Sequence, residues 1–266
     1  MKFRKIKSPA TKTIEFKLHS SLDERVYDLP TPAKFLTPQW FKELPSTVED
    51  SPMTVQPSNL TLKTNLPFVD PFSLGYMAVS PYDIELLDRK ETLPVEMKND
   101  PTVGVPESPA LDFSYPGYPI IEQSDFVHHF GWKVPTGFYD DVPYSWNFWF
   151  TIHTPPGYSV LITNPLNNNT LPWFTTNMVV DTDKNLVLDA LPFFISKNAS
   201  LGIIPKGTPL FQIIPFKRDN WVRKVAPITE NNLQTLRSST KPAREAQMQV
   251  PNVWYKQKIW NEKNFN

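Results

Sequence analysis

Asp181 and Asp183 carry the spacing that most invites chemistry. Two apart on a strand, both side chains project to one side. There they can share a divalent cation, or Asp181 can take a proton from water as a general base. The plainer alternative is a pair of solvated or hydrogen-bonded turn carboxylates at a strand end. Histidine offers less. His128 and His129 are adjacent, so on a strand they face opposite ways and cannot grip one ion together. His19 and His153 are distant in sequence, and an ordinary polar contact suffices for His153 at its turn. With no cysteine, disulfides, thiolate nucleophiles and thiolate metal sites are excluded. Neither a metal site nor a cofactor is expected. Serines abound, but none lies in a nucleophile-elbow setting. With only 8 glycines, no glycine-rich phosphate loop occurs. No catalytic motif is recognisable.

Trp146, Trp149, Trp173 and Trp221 can form a stacking platform for bases or sugars. Core packing is the alternative, and the favoured one. Lys217, Arg218, Arg223 and Lys224 make a small basic cluster, suited to phosphate, to an acidic partner, or simply to a solvated rim. The C-terminal stretch PNVWYKQKIWNEKNFN sets Trp254, Tyr255 and Trp260 among lysines. Aromatic side chains in such a tail need burial, either on their own domain or on a neighbouring subunit. Lys plus Arg and Asp plus Glu both number 27, so net charge is zero and nothing steers the chain towards nucleic acid or an anionic membrane. A near-neutral particle self-associates more readily, which favours a homo-oligomer or an assembly component.

Those side chains need elements to position them, and proline dominates that question. The 266 residues include 29 prolines, which cannot sit in helix interiors or central strands and so must separate many short segments. The aromatic share of 13% supplies the core volume. The best helix start is Thr37-Pro38, with Thr37 as cap, Pro38 at the first helical position and Pro45 as the stop. Strand patterns follow at 75–79, 83–87, 147–153, 158–163, 178–180, 185–188, 191–195 and 210–216. Pro156-Gly157 suits the centre of a type II turn, predicting a hairpin between 147–153 and 158–163. Residues 90–123 read as a long excursion from the sheet. Residues 229–236 read as a short capped helix. The expected class is mainly β, an antiparallel jelly-roll or β-clip-like sandwich with few short helices. Residues 1–228 are expected to form one β-rich domain with an N-terminal arm, and 229–266 an extension. The basic N-terminus lacks a signal peptide's apolar run, and no stretch is long enough to span a membrane. Glycosylation-like triplets at Asn59, Asn168 and Asn198 are read as chance.

An ordered set of motifs adds a resemblance. Trp40-Phe41-Lys42, Pro67-Phe68-Val69-Asp70, Gly75-Tyr76, Thr154-Pro155-Pro156-Gly157-Tyr158-Ser159-Val160-Leu161, Val179-Val180-Asp181-Thr182-Asp183 and Lys206-Gly207-Thr208-Pro209-Leu210 lead to Ile214-Pro215-Phe216-Lys217-Arg218. This resembles an uncharacterised family of tailed cyanophages and some bacteria, over roughly residues 35 to 222, and implies a phage origin. A second resemblance is to trimeric dUTPases, with their β-clip fold. Their motif order is similar to Pro156-Gly157-Tyr158, Val180-Asp181-Thr182-Asp183 and Gly207 to Gln212. It would make Asp181 the residue that positions the attacking water. The chain departs from that pattern where Lys184 replaces a base-stacking tyrosine, and where Asn164-Pro165-Leu166-Asn167 replaces the phosphate-binding segment.

The expected function is therefore that of a non-enzymatic phage protein, a virion or assembly component working through contacts with itself or other phage proteins. Trp254, Tyr255 and Trp260 are its partner-binding candidates, and the virion or host cytoplasm its location. One alternative is a nucleotide- or small-molecule-binding or hydrolysing protein of dUTPase-like fold, its site drawn from Tyr158, Asp181, Asp183, Gln212 and Arg218. Another is a host-directed factor that binds a bacterial protein.

Overall fold

A computed structural model describes residues 11–20, 22, 24–25, 27–47, 61–81, 83–86, 92–94, 121–122, 144–184, 188, 190–196, 202–238, 253–258 and 260–266. The chain divides into two compact units: Met1–Pro30 with Ala78–Pro165 and Thr170–Arg218, and Thr31–Met77 with Leu166–Asn169 and Asp219–Asn266. The class is as expected: mainly β and antiparallel, with few short helices.

In the first unit, one sheet runs in the order β11 (Met178–Val180), β9 (Tyr158–Thr163), β14 (Pro209–Lys217) and the Ala78–Val79 end of β3 (Tyr76–Val79). A second runs β10 (Trp173–Thr175), β12 (Ala190–Ile195), β7 (Tyr144–Asn147) and β6 (Ile121–Glu122). Strands β1 (Glu15–Leu18) and β8 (Phe150–His153) form a ribbon. A small sheet joins β13 (Gly202–Ile204), β4 (Ile84–Leu86) and β5 (Thr92–Pro94). Val160, Ile162, Leu210, Phe211 and Ile213 from the first sheet meet Trp146, Trp173, Leu191 and Phe193 from the second in one buried cluster. Two antiparallel sheets burying one shared core make a sandwich. Among the described residues no barrel closes.

The period-2 pattern assigned to 147–153 breaks at its start. Phe148, Trp149 and Phe150 are all buried, so the chain cannot alternate through them. It leaves β7 at Asn147 and begins β8 at Phe150, in a different sheet. The predicted hairpin is corrected for the same reason. Tyr158 N–H does donate to Pro155 O (3.2 Å), and Gly157 adopts φ +82. Yet β8 pairs with β1, while β9 pairs with β14 and β11. The turn carries the chain between sheets, because both strands present apolar residues that the shared core must bury. Pro192 departs from the proline expectation too. It sits in β12, paired on both sides, with its carbonyl accepting from the Thr176 N–H at 2.9 Å. Of residues 90–123, only 92–94 and 121–122 are described, both as strands. The rest of that excursion lies outside the described residues, as do 185–187.

The second unit is built from short turns of helix around aromatic rings. Helix α1 (Gln39–Glu43) starts after Pro38, whose carbonyl accepts from Phe41 and Lys42. Thr37 does not cap it; its hydroxyl turns back to Lys34 O at 3.1 Å. Helix α2 (Leu66–Val69) and the 3-10 turn Asp70–Ser73 bring Phe68 and Phe72 against Phe41, with the Phe41 and Phe72 centroids 4.5 Å apart. Strand β2 (Thr31–Pro32) pairs with Tyr76 and Met77, the start of β3. Residues 230–238 are helical, and Thr229 Oγ1 accepts from the Asn232 N–H as its cap at 3.3 Å. The chain ends after a helix at Val253–Lys258. No described helix is long and apolar enough to cross a membrane.

Candidate functional site

The structure draws four of the five ligand-site candidates into one cluster, built on the turn between β8 and β9. Strand β11 stops at Val180, and the Thr182 N–H folds back to Val180 O at 3.1 Å. Asp181 and Asp183 thus sit in a turn and not on a strand, which corrects the expected alternation. Thr182 is buried, its hydroxyl 2.7 Å from that of Thr154 and its carbonyl accepting from the Thr154 N–H at 3.1 Å. This pins the carboxylate turn to the proline turn.

Arg218, one residue past β14, closes the cluster. Its backbone N–H donates to Gly157 O at 2.9 Å. Its Nη1 lies 3.1 Å from Asp183 Oδ1 and 3.0 Å from Asp181 Oδ1, and its Nη2 donates to Asp183 Oδ2. Nη1 also donates to Tyr158 O at 3.2 Å and Ser159 Oγ at 3.0 Å. The Gly157 N–H donates to Asp183 Oδ2 at 2.8 Å, and the Ser159 hydroxyl to Asp181 Oδ1 at 2.6 Å. Charge-assisted bonds of this kind favour the ionised carboxylate. The Arg218 guanidinium and the Gly157 N–H hold Asp183 down at about 2. The Ser159 hydroxyl, then Arg218, lower Asp181 as well. Asp183, and then Asp181, raise Arg218 in return.

A carboxylate held in this way is a weak proton acceptor, and both oxygens of Asp183 are already bonded. The geometry is that of a clasp that fixes where β14 ends. Tyr158 contributes its backbone carbonyl, while its ring lies 6.0 Å from Lys12 Nζ. Gln212 does not join: it is fully buried on β14, opposite Thr163. Ser159 and Gly157 are the participants that residue chemistry alone did not single out. The Pro-Pro-Gly turn beside an Asp-x-Asp turn was their available signal.

Elsewhere the candidates disperse. Trp146, Trp149 and Trp173 are buried in the core, so they offer no stacking platform, whereas Trp221 is 90% exposed. His153 bonds with Thr151 Oγ1 at 2.9 Å, and His19 donates its backbone N–H to Trp149 O. His128 and His129 lie outside the described residues. No group of three or more potential metal ligands occurs among the described residues. In the aromatic tail, residues 260–266 make contacts with their own chain. Trp260 Nε1 donates to Asp70 Oδ1 at 2.8 Å, Lys263 Nζ pairs with Asp70 Oδ2 at 2.5 Å, and Phe265 meets the edge of Tyr76. Tyr255 is half-buried, its carbonyl accepting from the Trp260 N–H at 2.8 Å. Trp254 lies on the helix at Val253–Lys258, with its side chain outside the described set.

An exposed apolar stretch lies just past the clasp. Residues 219–229 have no regular structure and are exposed throughout. Trp221 is 90% exposed, Val222 93%, Val225 72% and Ile228 61%. Among the described residues none hydrogen-bonds to 220–228. No protein-family model, curated protein or solved structure matches the chain.

Proposed function

We propose that this protein is a non-enzymatic structural or assembly component of phage origin, acting through protein–protein contacts made by the arm at 219–229. The observation that carries the reading is the exposure of Trp221, Val222, Val225 and Ile228 on one short segment. Each large apolar side chain is worth roughly 1.5–3 kcal/mol when fully buried, so a cluster in water marks a surface that another protein covers. The clasp supports the same reading from the chemical side. Asp181 and Asp183 are tied to Arg218, Ser159 and Gly157 and are depressed as bases, which suits anchoring better than catalysis. The motif order from Trp40 to Arg218 supports the phage origin, with the virion or the host cytoplasm as the place of action.

Mass spectrometry of purified phage particles tests this reading, with the chain expected at stoichiometric abundance. Its absence from particles and from assembly intermediates overturns the virion role. Incubation with dUTP is expected to release no pyrophosphate above background. Robust release abolished by Asp181→Ala would instead favour a dUTPase-like hydrolase.

A further inference from the structure

The reading above leaves open what the arm covers. The outer face of the sheet beside the clasp supplies a candidate. Val179 on β11 stands opposite Leu161 on β9, and Leu161 stands opposite Ile214 on β14. Directly opposed residues on neighbouring strands share a face. Their sequence neighbours Val160, Ile162 and Ile213 are fully buried in the core, so this row points away from it. Val179 is 65% exposed, Leu161 and Ile214 are half-buried, and Phe216, two residues along β14, is 37% exposed. Ser159 and Asp181 of the clasp border the row, and the Asp181 side chain is 51% exposed. Strand β11 is also the free edge of its sheet among the described residues, and an exposed apolar edge strand needs cover.

We propose, resting on the assembly reading, that the arm of one copy lies over the Val179–Leu161–Ile214–Phe216 face of a second copy, in a reciprocal two-fold exchange. The arm departs from Arg218, and Arg218 is bonded to the clasp that borders the acceptor row. Donor and acceptor are thus joined in sequence through Arg218 in each copy, which suits a self-complementary two-fold interface. The arm itself carries Arg223 and Lys224 against Asp219, a net charge of +1. At the border Asp181 is bonded to Ser159 and Arg218 through Oδ1, which leaves Oδ2 of this half-exposed carboxylate as an acidic partner for Arg223 or Lys224. The arm's apolar content favours a protein face over a nucleic acid, on which Val222, Val225 and Ile228 would find no partner. Fully extended, residues 219–229 reach at most about 40 Å, enough to cross a sheet of this size.

The absence of cysteine makes a direct test clean. Val179→Cys and Val222→Cys lie at exposed positions, so neither is expected to disturb folding. The two full-length variants, differently tagged, are mixed and treated with a short bis-maleimide. A mixed 179–222 adduct is expected, together with a dimeric wild type by light scattering. Trp221→Ser with Val222→Ser should halve that mass and leave the circular-dichroism melting curve of the body in place. A stable dimer yielding only 222–222 adducts, or none, overturns the exchange while the assembly reading stands. So does a monomeric wild type that is nevertheless found in particles. A monomer absent from particles removes both. An oligonucleotide gel shift abolished by Trp221→Ser overturns the exchange in favour of nucleic acid.

Discussion

Arg218 grips both oxygens of Asp183 while its own backbone N–H holds Gly157, with Nη1 at 3.1 Å from Oδ1 and N at 2.9 Å from Gly157 O. The last residue before the arm is thereby tied to the turn before β9 by main chain and side chain together. Only the side-chain part depends on ionisation, which makes the clasp separable by pH.

Acid should weaken it in a defined window. The folded-state value of Asp183 is lowered from 3.8 to about 2. A depressed carboxylate contributes stability that is fully present above its unfolded value and is lost as pH falls through its folded value. Stability should therefore drop between about pH 4 and pH 2, with Asp181 adding in the same direction. Asp183→Asn should be less stable at neutral pH and show a flatter acid limb in urea titrations across that range. An unchanged acid limb would show that Asp183 is not tied to Arg218 in solution.

Gly157→Ala tests the turn beneath the clasp. A β-carbon there meets nothing within 4 Å, but φ is +82. The cost is thus backbone strain alone, about 1–2 kcal/mol. Urea midpoints should fall accordingly, with Gly207→Ala, also at φ +82 in open space, falling by a similar amount.

Thr175 is the polar joint of the core. Its buried hydroxyl accepts from Trp146 Nε1 and donates to Leu210 O, both at 2.9 Å. Trp146 in turn stacks on Phe193 at 3.6 Å between centroids. Thr175→Val keeps the shape but strands the indole N–H, at a cost of about 1–3 kcal/mol. Thr175→Ser should recover much of that loss in chemical denaturation. Equal losses for both variants would assign the effect to packing.

The tail should behave as part of its own chain. Removing residues 260–266 deletes the Trp260 and Lys263 contacts to Asp70 and the Phe265 contact to Tyr76. The melting temperature should fall, with Asp70→Asn alone costing about 1–2 kcal/mol. Light scattering should show the same mass before and after truncation. Dissociation on truncation would return the tail to a role between subunits.

Local signals in the chain were legible wherever a single residue's geometry sufficed. Gly157 marks a turn because positive φ suits glycine. Thr229 marks the start of the helix at 230–238 because its hydroxyl can serve the first free N–H groups. The apolar runs at 158–163 and 210–216 marked strands for the same local reason, and the strands are found at 158–163 and 209–217. Asp181, Asp183 and Arg218 all stood out as site candidates, but nothing local marked Arg218, one of several cations near the end of β14, as the residue that closes on both carboxylates.

Choice of partner belonged to the tertiary structure. Nothing in 150–153 encodes β1 over β9; that pairing emerges once both sheets must bury their rings in one core. The tryptophans make the point most directly. Trp146 and Trp221 are the same residue in similarly mixed surroundings, and one is fully buried while the other is 90% exposed. Side-chain chemistry determines what burial is worth, about 25 cal/mol per Å² of apolar surface. Only the packed arrangement of distant segments determines which ring receives it, and so which is left for a partner.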